Sequence, residues 1–543
     1  MENPPKEPLN QALSEILSMI LDEPKISRSK LEKLKREIAK KYNLDRFVRN
    51  SEILEYLTSS NELSEYDKEF LVQFLQVRRV RTLSGIAVVA VMTKPSPCPG
   101  KCIYCPDVIG APKSYTGREP AAMRGLQNQF DPKNQVIARL EQLRSIGHPI
   151  DKIHLVIMGG TFLANTEDYQ KYFIKECLDG ITGQKTLSLN EAKINTQASL
   201  NRNVGITFET RPDYCKAIHV NQMLEYGGTW VEIGVQTLSE SILERVQRHH
   251  SIDDVVDAIQ YSRDGGLKVT VHMMPNLFQT PNEDIKMFET LYTNPNFVPD
   301  ALKIYPTLVL PNTPLFNMWK NEEYQPYSSE EVIEVIAQIK AITPPFIRIQ
   351  RVQRDIPAYL IIDGINSGNL RELAKRKLQA QNKACRCIRC REIGHKINLK
   401  DDSWTQQDLD YHIESYKASE GIEHFISFET EDRQTIFGFL RLREPSSKLF
   451  HPILKEKPST IIRELHVYGK LVRLGKLPKR FEWQHRGIGM RLIEIAEEIT
   501  RENGYSQIFV TSGLGVRDYY KRFGYVYRNP YMVKNLSKFI NSP

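Results

Sequence analysis

The chain has 543 residues, of which 41% are hydrophobic and 26% charged, with a formal net charge of +8. At roughly 100–200 residues per domain, that length exceeds one hydrophobic core and calls for two to four domains. No apolar run approaches the ~20 residues of a membrane span, and the opening MENPPKEPLN has neither the basic nor the apolar region of a signal peptide, so a globular cytoplasmic protein is expected.

Residues 1–80 read as helical and polar. Leu31, Leu34, Ile38 and Tyr42 recur at helical spacing, as do Ile53, Leu54 and Leu57 and then Phe70, Leu71, Phe74 and Leu75. Basic residues crowd the first of these stretches (Lys25, Arg28, Lys30, Lys33, Lys35, Arg36, Lys40, Lys41, Arg46, Arg49), and Arg78, Arg79 and Arg81 follow. Such a run is either a solvated helix face or a phosphate-binding surface. From 81 to 370, apolar runs alternate with amphipathic stretches. Strands are expected at Ile86–Met92, Ile153–Met158, Val204–Glu209, Trp230–Gln236, Lys268–Met273 and Ala301–Tyr305. Helices are expected at Asn134–Ser145, Glu167–Asp179, Ile252–Asp264, Glu283–Tyr292 and, before Pro344-Pro345, at Glu330–Ala341. Repeated strand–helix alternation predicts a parallel β/α barrel, complete or partial, with its chemistry at the C-terminal ends of the strands. A basic, cysteine-containing stretch occupies 371–400. A second α/β domain spans 401–543, with strands at Phe425–Glu429, Ile436–Arg441 and Thr460–Val467, then a helix and another strand.

Six of the eight cysteines fall in two clusters. Cys98, Cys102 and Cys105 form CxxxCxxC directly after the first predicted strand, with Tyr104 before the last cysteine. Three thiolates so close can hold three irons of a [4Fe–4S] cube and leave the fourth iron open to a small molecule; the alternative is a zinc knuckle with a distant fourth ligand. The spacing, the aromatic and the position resemble the radical S-adenosylmethionine superfamily. That resemblance implies that Gly159 and Gly160 after the second strand meet the methionine amino group. It also implies that Glu209 and Arg211 after the third strand, and Gln236 after the fourth, meet the ribose and carboxylate of S-adenosylmethionine.

In the C-terminal domain, Gln484-His485-Arg486-Gly487-Ile488-Gly489 opens an amphipathic helix from Met490 to Glu502. A glycine-rich turn at a helix N-terminus presents backbone N–H groups to a pyrophosphate. With the later Tyr519-Tyr520-Lys521-Arg522-Phe523-Gly524-Tyr525, the segment resembles GNAT-type N-acetyltransferases, which implies acetyl-CoA as ligand.

The pairing of these two domains, together with Ser114–Gly117, Gly147–Ile153, Met158–Thr161, Thr210–Asp213, Gly234–Gln236, Glu464–Val467 and Pro530–Lys534, resembles the catalytic subunit of Elongator in its stand-alone form. That family can place more residues between the first two cluster cysteines than the short CxxxC here. The resemblance implies formation of carboxymethyluridine at the wobble position of tRNA from S-adenosylmethionine and acetyl-CoA. A 5′-deoxyadenosyl radical would abstract hydrogen from the acetyl methyl, and the resulting carbon radical would add to uridine C5. It implies acetyl-CoA contacts at Glu464, Leu465, His466 and Val467, at Ile488, Gly489 and Met490, and at Tyr520. It also implies a barrel lysine, matched by Lys152, that lets one cofactor bridge both domains; Lys152 and Tyr520 are the expected catalytic residues. The anticodon stem-loop of tRNA and an external electron donor are the expected partners.

Cys385, Cys387 and Cys390 form CxCxxC, which suits tetrahedral zinc with a fourth ligand from His395, His272 or His412, or else a second iron–sulfur cluster. Two other functions remain open at this point. One is a protein lysine acetyltransferase with a structural cluster and with Glu464 or His466 as candidate base. The other is a non-catalytic tRNA-binding scaffold.

Overall fold

The computed structural model describes residues 6–23, 26–59, 64–76, 85–396, 409–468 and 487–536. The chain divides into two compact units, 1–87 with 137–151, and 88–136 with 152–543. None of the described helices is long and apolar enough to cross a membrane.

In the first unit, helices Lys6–Asp22, Arg28–Lys41, Asn50–Ser59 and Glu65–Leu75 enclose a core of Ile16, Ile20, Leu31, Ile38, Ile53 and Leu71. Several of its basic residues already have carboxylate partners. Lys30 meets Glu23, Lys35 meets Glu32, Lys41 meets Glu15, and Arg46 meets Glu52. Lys25, Arg78, Arg79 and Arg81 lie outside the described residues.

The second unit holds two seven-stranded sheets. The first runs in chain order through β1 (Ile86–Met92), β2 (Lys152–Met158), β3 (Arg202–Thr210), β4 (Trp230–Gln236), β5 (Lys268–Met273), β6 (Ala301–Ile304) and β7 (Arg348–Arg351). The pairs from β2 to β7 are parallel, and β1 and β7 are the ends of an open, partial barrel. The intervening helices start where their sequences say they should. Ser251 with Asp254, Thr280 with Glu283 and Ser328 with Glu331 are reciprocal capping boxes, which satisfy the free N–H groups of the first turn. Alternate residues such as Ile153, Leu155, Ile157, Val231, Ile233 and Val271 are buried apolar side chains. Their neighbours on the other face are polar and bond to one another across strands. His154 meets Thr207 at 2.6 Å, Trp230 donates to Thr270 at 2.6 Å, and Lys303 reaches Glu209 at 3.4 Å. Period-two alternation thus gives the barrel a polar lumen.

The second sheet has the order β13-β14-β12-β11-β10-β9-β8, from β8 (Leu409–Ala418), β9 (Gly421–Thr430), β10 (Ile436–Glu444), β11 (Ser459–Val467), β12 (Gln507–Val510), β13 (Val526–Arg528) and β14 (Tyr531–Asn535). β11 and β12 pair in parallel, the other pairs antiparallel. Helix Ile488–Glu502 makes the crossover between β11 and β12, burying Ile488, Leu492, Ile495 and Ala496.

A buried ion network joins the two sheets. Asp300, just before β6, takes both guanidinium nitrogens of Arg463, at 2.6 and 2.7 Å. Glu423 bridges Arg463 at 2.6 Å and Arg263 at 2.9 Å. Arg443 binds Asp264 at 2.6 Å, and Glu464 lies between Lys268 at 2.5 Å and Arg441 at 3.0 Å. Asp264, Lys268 and Asp300 all stand at the N-terminal ends of barrel strands, so the second sheet docks on the barrel floor.

Candidate active site

The loop after β1 carries the first cysteine triad. Cys102 is buried, and Cys98 and Cys105 are half-buried. The Cys105 thiol bonds to Cys102 and, with help from Arg248, holds Cys102 down to about 4 against the opposing effect of burial. Cys105 itself is pushed well above the ordinary thiol value, and its sulfur lies 3.2 Å from the Ser114 hydroxyl. Gly159 and Gly160 have φ of +124° and +84°. A Cβ on Gly159 would stand 2.1 Å from the Thr93 hydroxyl, so only glycine lets β1 and β2 approach here. Around this mouth, buried polar atoms lack hydrogen-bond partners: Thr161 Oγ1, Arg211 Nη1, Gln236 Oε1, Arg248 Nε and both ring nitrogens of His250. Gln236 is moreover held at φ +74°. Buried polar groups are nearly always satisfied; such atoms also occur elsewhere in the chain, and here they stand beside a sulfur set that fits an iron–sulfur centre.

The other expected S-adenosylmethionine contacts are already engaged. Glu209 accepts from Tyr115 at 2.7 Å and meets Lys303 at 3.4 Å. Arg211 is buried and grips Asp213 bidentately, at 2.9 and 3.0 Å. Glu209, Glu232 and His272 bring three ligand atoms within 4.8 Å of one another. Lys303, however, contacts both carboxylates, and its ammonium fills the cation's place. Burial would raise Glu232, but Lys303 and His272 hold it far below the usual carboxylate range.

At the opposite end of the barrel, Lys152 is the first residue of β2 and pairs in register with Arg202. The turn Leu514–Val516 packs on the start of β3 beside Arg202. The expected lysine therefore stands at the barrel end that meets the second sheet. There, β11 and β12 pair only from Ser459↔Gln507 to Ile462↔Val510, and beyond Ile462 they part. β10 and β11 slip register in the same region, between Arg441 and Leu442. The freed segment Arg463–Val467 faces the N-terminus of helix Ile488–Glu502. A Cβ built on Gly489 would lie 3.7 Å from Val467 and 2.4 Å from the Tyr519 hydroxyl, and Gly487 caps the helix at φ +85°. Crevices at the C-terminal ends of parallel strands are where α/β sheets take ligands.

The individual residues divide. Ile488 is buried, Met490 is exposed, and Leu465 and Val467 pack partly buried against the domain core. Tyr520 is buried edge-on between Tyr519 and Tyr525; its neighbour Tyr519 is the tyrosine whose hydroxyl reaches the glycine turn. Gln484 lies outside the described residues. Glu464 is locked between two cations, which with burial opposing keep it below its ordinary value. His466 is pulled down to about 4 by burial. An amine-deprotonating base works best near the operating pH, and neither residue is so tuned.

The second triad gathers the sulfurs of Cys385, Cys387 and Cys390 within 4.8 Å of one another, and buried Lys340 donates to Cys390 at 3.6 Å. One ion at ~2.3 Å from each sulfur needs such closeness; among the described residues the first triad is not gathered in this way. His272 lies in the barrel lumen, 3.1 Å from Glu232, and so away from this triad. His412 is not gathered with it either, and the His395 side chain lies outside the described residues. Sequence reasoning missed Arg248 and Lys303, for which no motif spacing speaks, and within the Tyr519–Tyr525 motif it named Tyr520 and not Tyr519.

Residues 9–83 match the ELP3 N-terminal domain, 96–291 the Radical SAM superfamily and 299–380 the Radical_SAM C-terminal domain. The chain is 45% identical to a tRNA uridine(34) acetyltransferase of Methanocaldococcus jannaschii, covering 96% of this chain and 97% of that one. It is 41% identical to Elongator complex protein 3 of Homo sapiens, covering 93% of each. The chain belongs to the Elongator complex protein 3 family. A solved archaeal Elp3 from Methanocaldococcus infernus, lacking residues 1–46, superposes with a TM-score of 0.74 at 43% identity, covering 83% of this chain and 99% of that one. Membership of the radical S-adenosylmethionine superfamily implies a [4Fe–4S] cluster and S-adenosylmethionine, and the loop after β1 contains three cysteines.

Proposed function

We propose that this protein is an enzyme that uses S-adenosylmethionine and acetyl-CoA to form 5-carboxymethyluridine at the wobble uridine of tRNA. The observation that carries the reading is that the cysteine loop and the glycine turn of helix Ile488–Glu502 belong to one body, whose two sheets are joined by buried ion pairs. Full-length relatives named as tRNA uridine(34) acetyltransferases support it.

In this reading Cys98, Cys102 and Cys105 hold the cluster; Gly159, Gly160 and Gln236 line the S-adenosylmethionine site, while Glu209 and Arg211 shape it. When bound, the cluster and S-adenosylmethionine supply one-electron chemistry able to activate an unactivated C–H bond, delivered by an external electron donor. The chain's own work is to exclude water, to position both cofactors and to admit a base withdrawn from its stack. The backbone from Glu464 to Val467, Gly487 and Gly489 cradles acetyl-CoA, with Tyr519 at the turn and Lys152 reaching from the barrel. Residues 1–80 and the basic stretch Arg371–Arg391 grip the RNA backbone of the anticodon stem-loop. Cys385, Cys387 and Cys390 bind a structural zinc. The lack of a tuned base at Glu464 and His466 disfavours a conventional lysine acetyltransferase. Nucleoside mass spectrometry of tRNA incubated with reconstituted enzyme, S-adenosylmethionine, acetyl-CoA and reductant tests the proposal. Carboxymethyluridine is expected; unmodified uridine alongside acetylated lysine would favour the alternative.

A further inference from the structure

Arg248 stands directly behind the cysteine loop. Its side chain is buried, with Nη1 3.4 Å from the Cys102 sulfur and Nη2 2.7 Å from the Gly234 carbonyl at the end of β4. Among the described residues no carboxylate pairs with it; the titratable groups nearest it include Cys102, Cys105 and Tyr104. Nearby His250, either neutral or cationic, cannot supply a counter-charge. A buried cation is strongly disfavoured without a partner, and the side-chain atom this guanidinium meets is the Cys102 sulfur.

Its backbone is equally committed. Lys101 and Ile103 of the cysteine loop donate to the carbonyls of Gln247 and Val246, at 3.3 and 3.1 Å. Arg211 donates to the Arg248 carbonyl at 2.7 Å, and a Cβ on Gly100 would strike Arg211 Nη1 at 2.2 Å. Gln247 and His249, on either side, sit at φ +54° and +57°. Left-handed backbone is disfavoured for a non-glycine residue, and two such residues flanking one side chain mark a constraint the fold maintains.

We propose that Arg248 is a positioning residue for the iron–sulfur centre, whose guanidinium donates to the Cys102 sulfur and sets the centre's reduction potential. A cationic donor at a cluster sulfur favours the reduced, more negative state. The proposal rests on the radical S-adenosylmethionine reading, and wild-type iron content and absorbance after reconstitution test that reading separately: a wild-type protein without a cluster would end the reading itself.

The experiment is an EPR-monitored redox titration of reconstituted wild-type, Arg248→Gln and Arg248→Lys proteins. Arg248→Gln is expected to keep its iron and show a more negative midpoint, about 59 mV lower for each tenfold loss of preference for the reduced form. Arg248→Lys, which keeps the charge, is expected to fall between. Equal midpoints in all three would overturn the proposal. So would loss of iron from both variants with native circular dichroism, because Arg248 would then build the loop and not tune the sulfur.

Discussion

The two ends of the barrel bury polar groups in different ways. At the floor, Arg263, Arg441, Arg443 and Arg463 each lie within 4 Å of a carboxylate, drawn from Asp264, Asp300, Glu423 and Glu464. At the mouth, Thr161, Arg211, Gln236, Arg248 and His250 keep buried atoms without hydrogen-bond partners, and Gln236, Gln247 and His249 are held left-handed. Both ends belong to the same strands, so the difference comes from what each end must accommodate. The floor is closed by a second sheet, and its charges are spent on holding that sheet. The mouth leaves capacity for groups that are not protein. Unsatisfied buried atoms and left-handed residues occur at both ends, with Arg263 Nε, Arg441 Nη1, Ser419 and Glu420 at the floor, so dense ion pairing is what sets the floor apart.

The contrast can be broken most severely at the mouth. Cys102→Ala should abolish the cluster chromophore and reductive cleavage of S-adenosylmethionine, while acetyl-CoA binding at the other end stays near wild type. Absorbance spectra and product chromatography check this; retained cleavage would remove the cluster assignment.

At the floor, Asp300→Asn should cost stability and leave the cluster loop alone. Breaking a buried ion network by removing one partner typically costs about 3–5 kcal/mol, readable by urea denaturation. The network also predicts a pH dependence. Despite burial, the arginines hold Asp300 well below its ordinary value and Glu423 below its own, and Lys268 and Arg441 do the same for Glu464. Such depressed carboxylates stabilise the fold fully above their unfolded values of about 4, and that contribution is lost as pH falls through the lower folded values. Stability from this source should be flat near neutrality and decline below about pH 4, with a shallower decline in Asp300→Asn.

Lys152→Ala sharpens the comparison at a single cofactor contact. A charge-assisted hydrogen bond to acetyl-CoA is worth about 1.5–3 kcal/mol, roughly 10- to 150-fold in affinity. Calorimetry should show that loss with cluster content unchanged. Wild-type affinity would mean that only the second sheet holds the cofactor.

The smallest effect is expected in the N-terminal unit. Lys40 is exposed on helix Arg28–Lys41. If it contacts a phosphate, Lys40→Gln should weaken tRNA binding and lower the salt slope by about 0.7–0.9. An unchanged slope would assign it to the solvated face.

What was legible in the sequence follows the same division. β1, β4 and β5 stand where Ile86–Met92, Trp230–Gln236 and Lys268–Met273 were expected, because β1 is a continuous apolar run and β4 and β5 set buried Val and Ile at every second position. β7 (Arg-Ile-Gln-Arg) and β8, rich in charged and aromatic residues, were not legible. Arg348 of β7 finds its partners far along the chain, in Glu392 at 2.7 Å and the Tyr468 hydroxyl at 2.8 Å. Helix Leu189–Ala198 was also missed, its apolar positions too few to show a helical period. The cysteine motifs and glycine turns could be read because chemistry fixes their local spacing. Arg248 could not, because its partner Cys102 is 146 residues distant.

The central claim is that both barrel ends serve one reaction. The most direct test supplies methyl-¹³C acetyl-CoA, S-adenosylmethionine, reductant and tRNA to the reconstituted protein, and reads the wobble nucleoside by mass spectrometry. The account predicts ¹³C in the carboxymethyl group of that uridine, and no labelled nucleoside from either Cys102→Ala or Gly489→Glu. Labelled carboxymethyluridine from the Cys102→Ala protein, or ¹³C found only as acetyl-lysine, would contradict it.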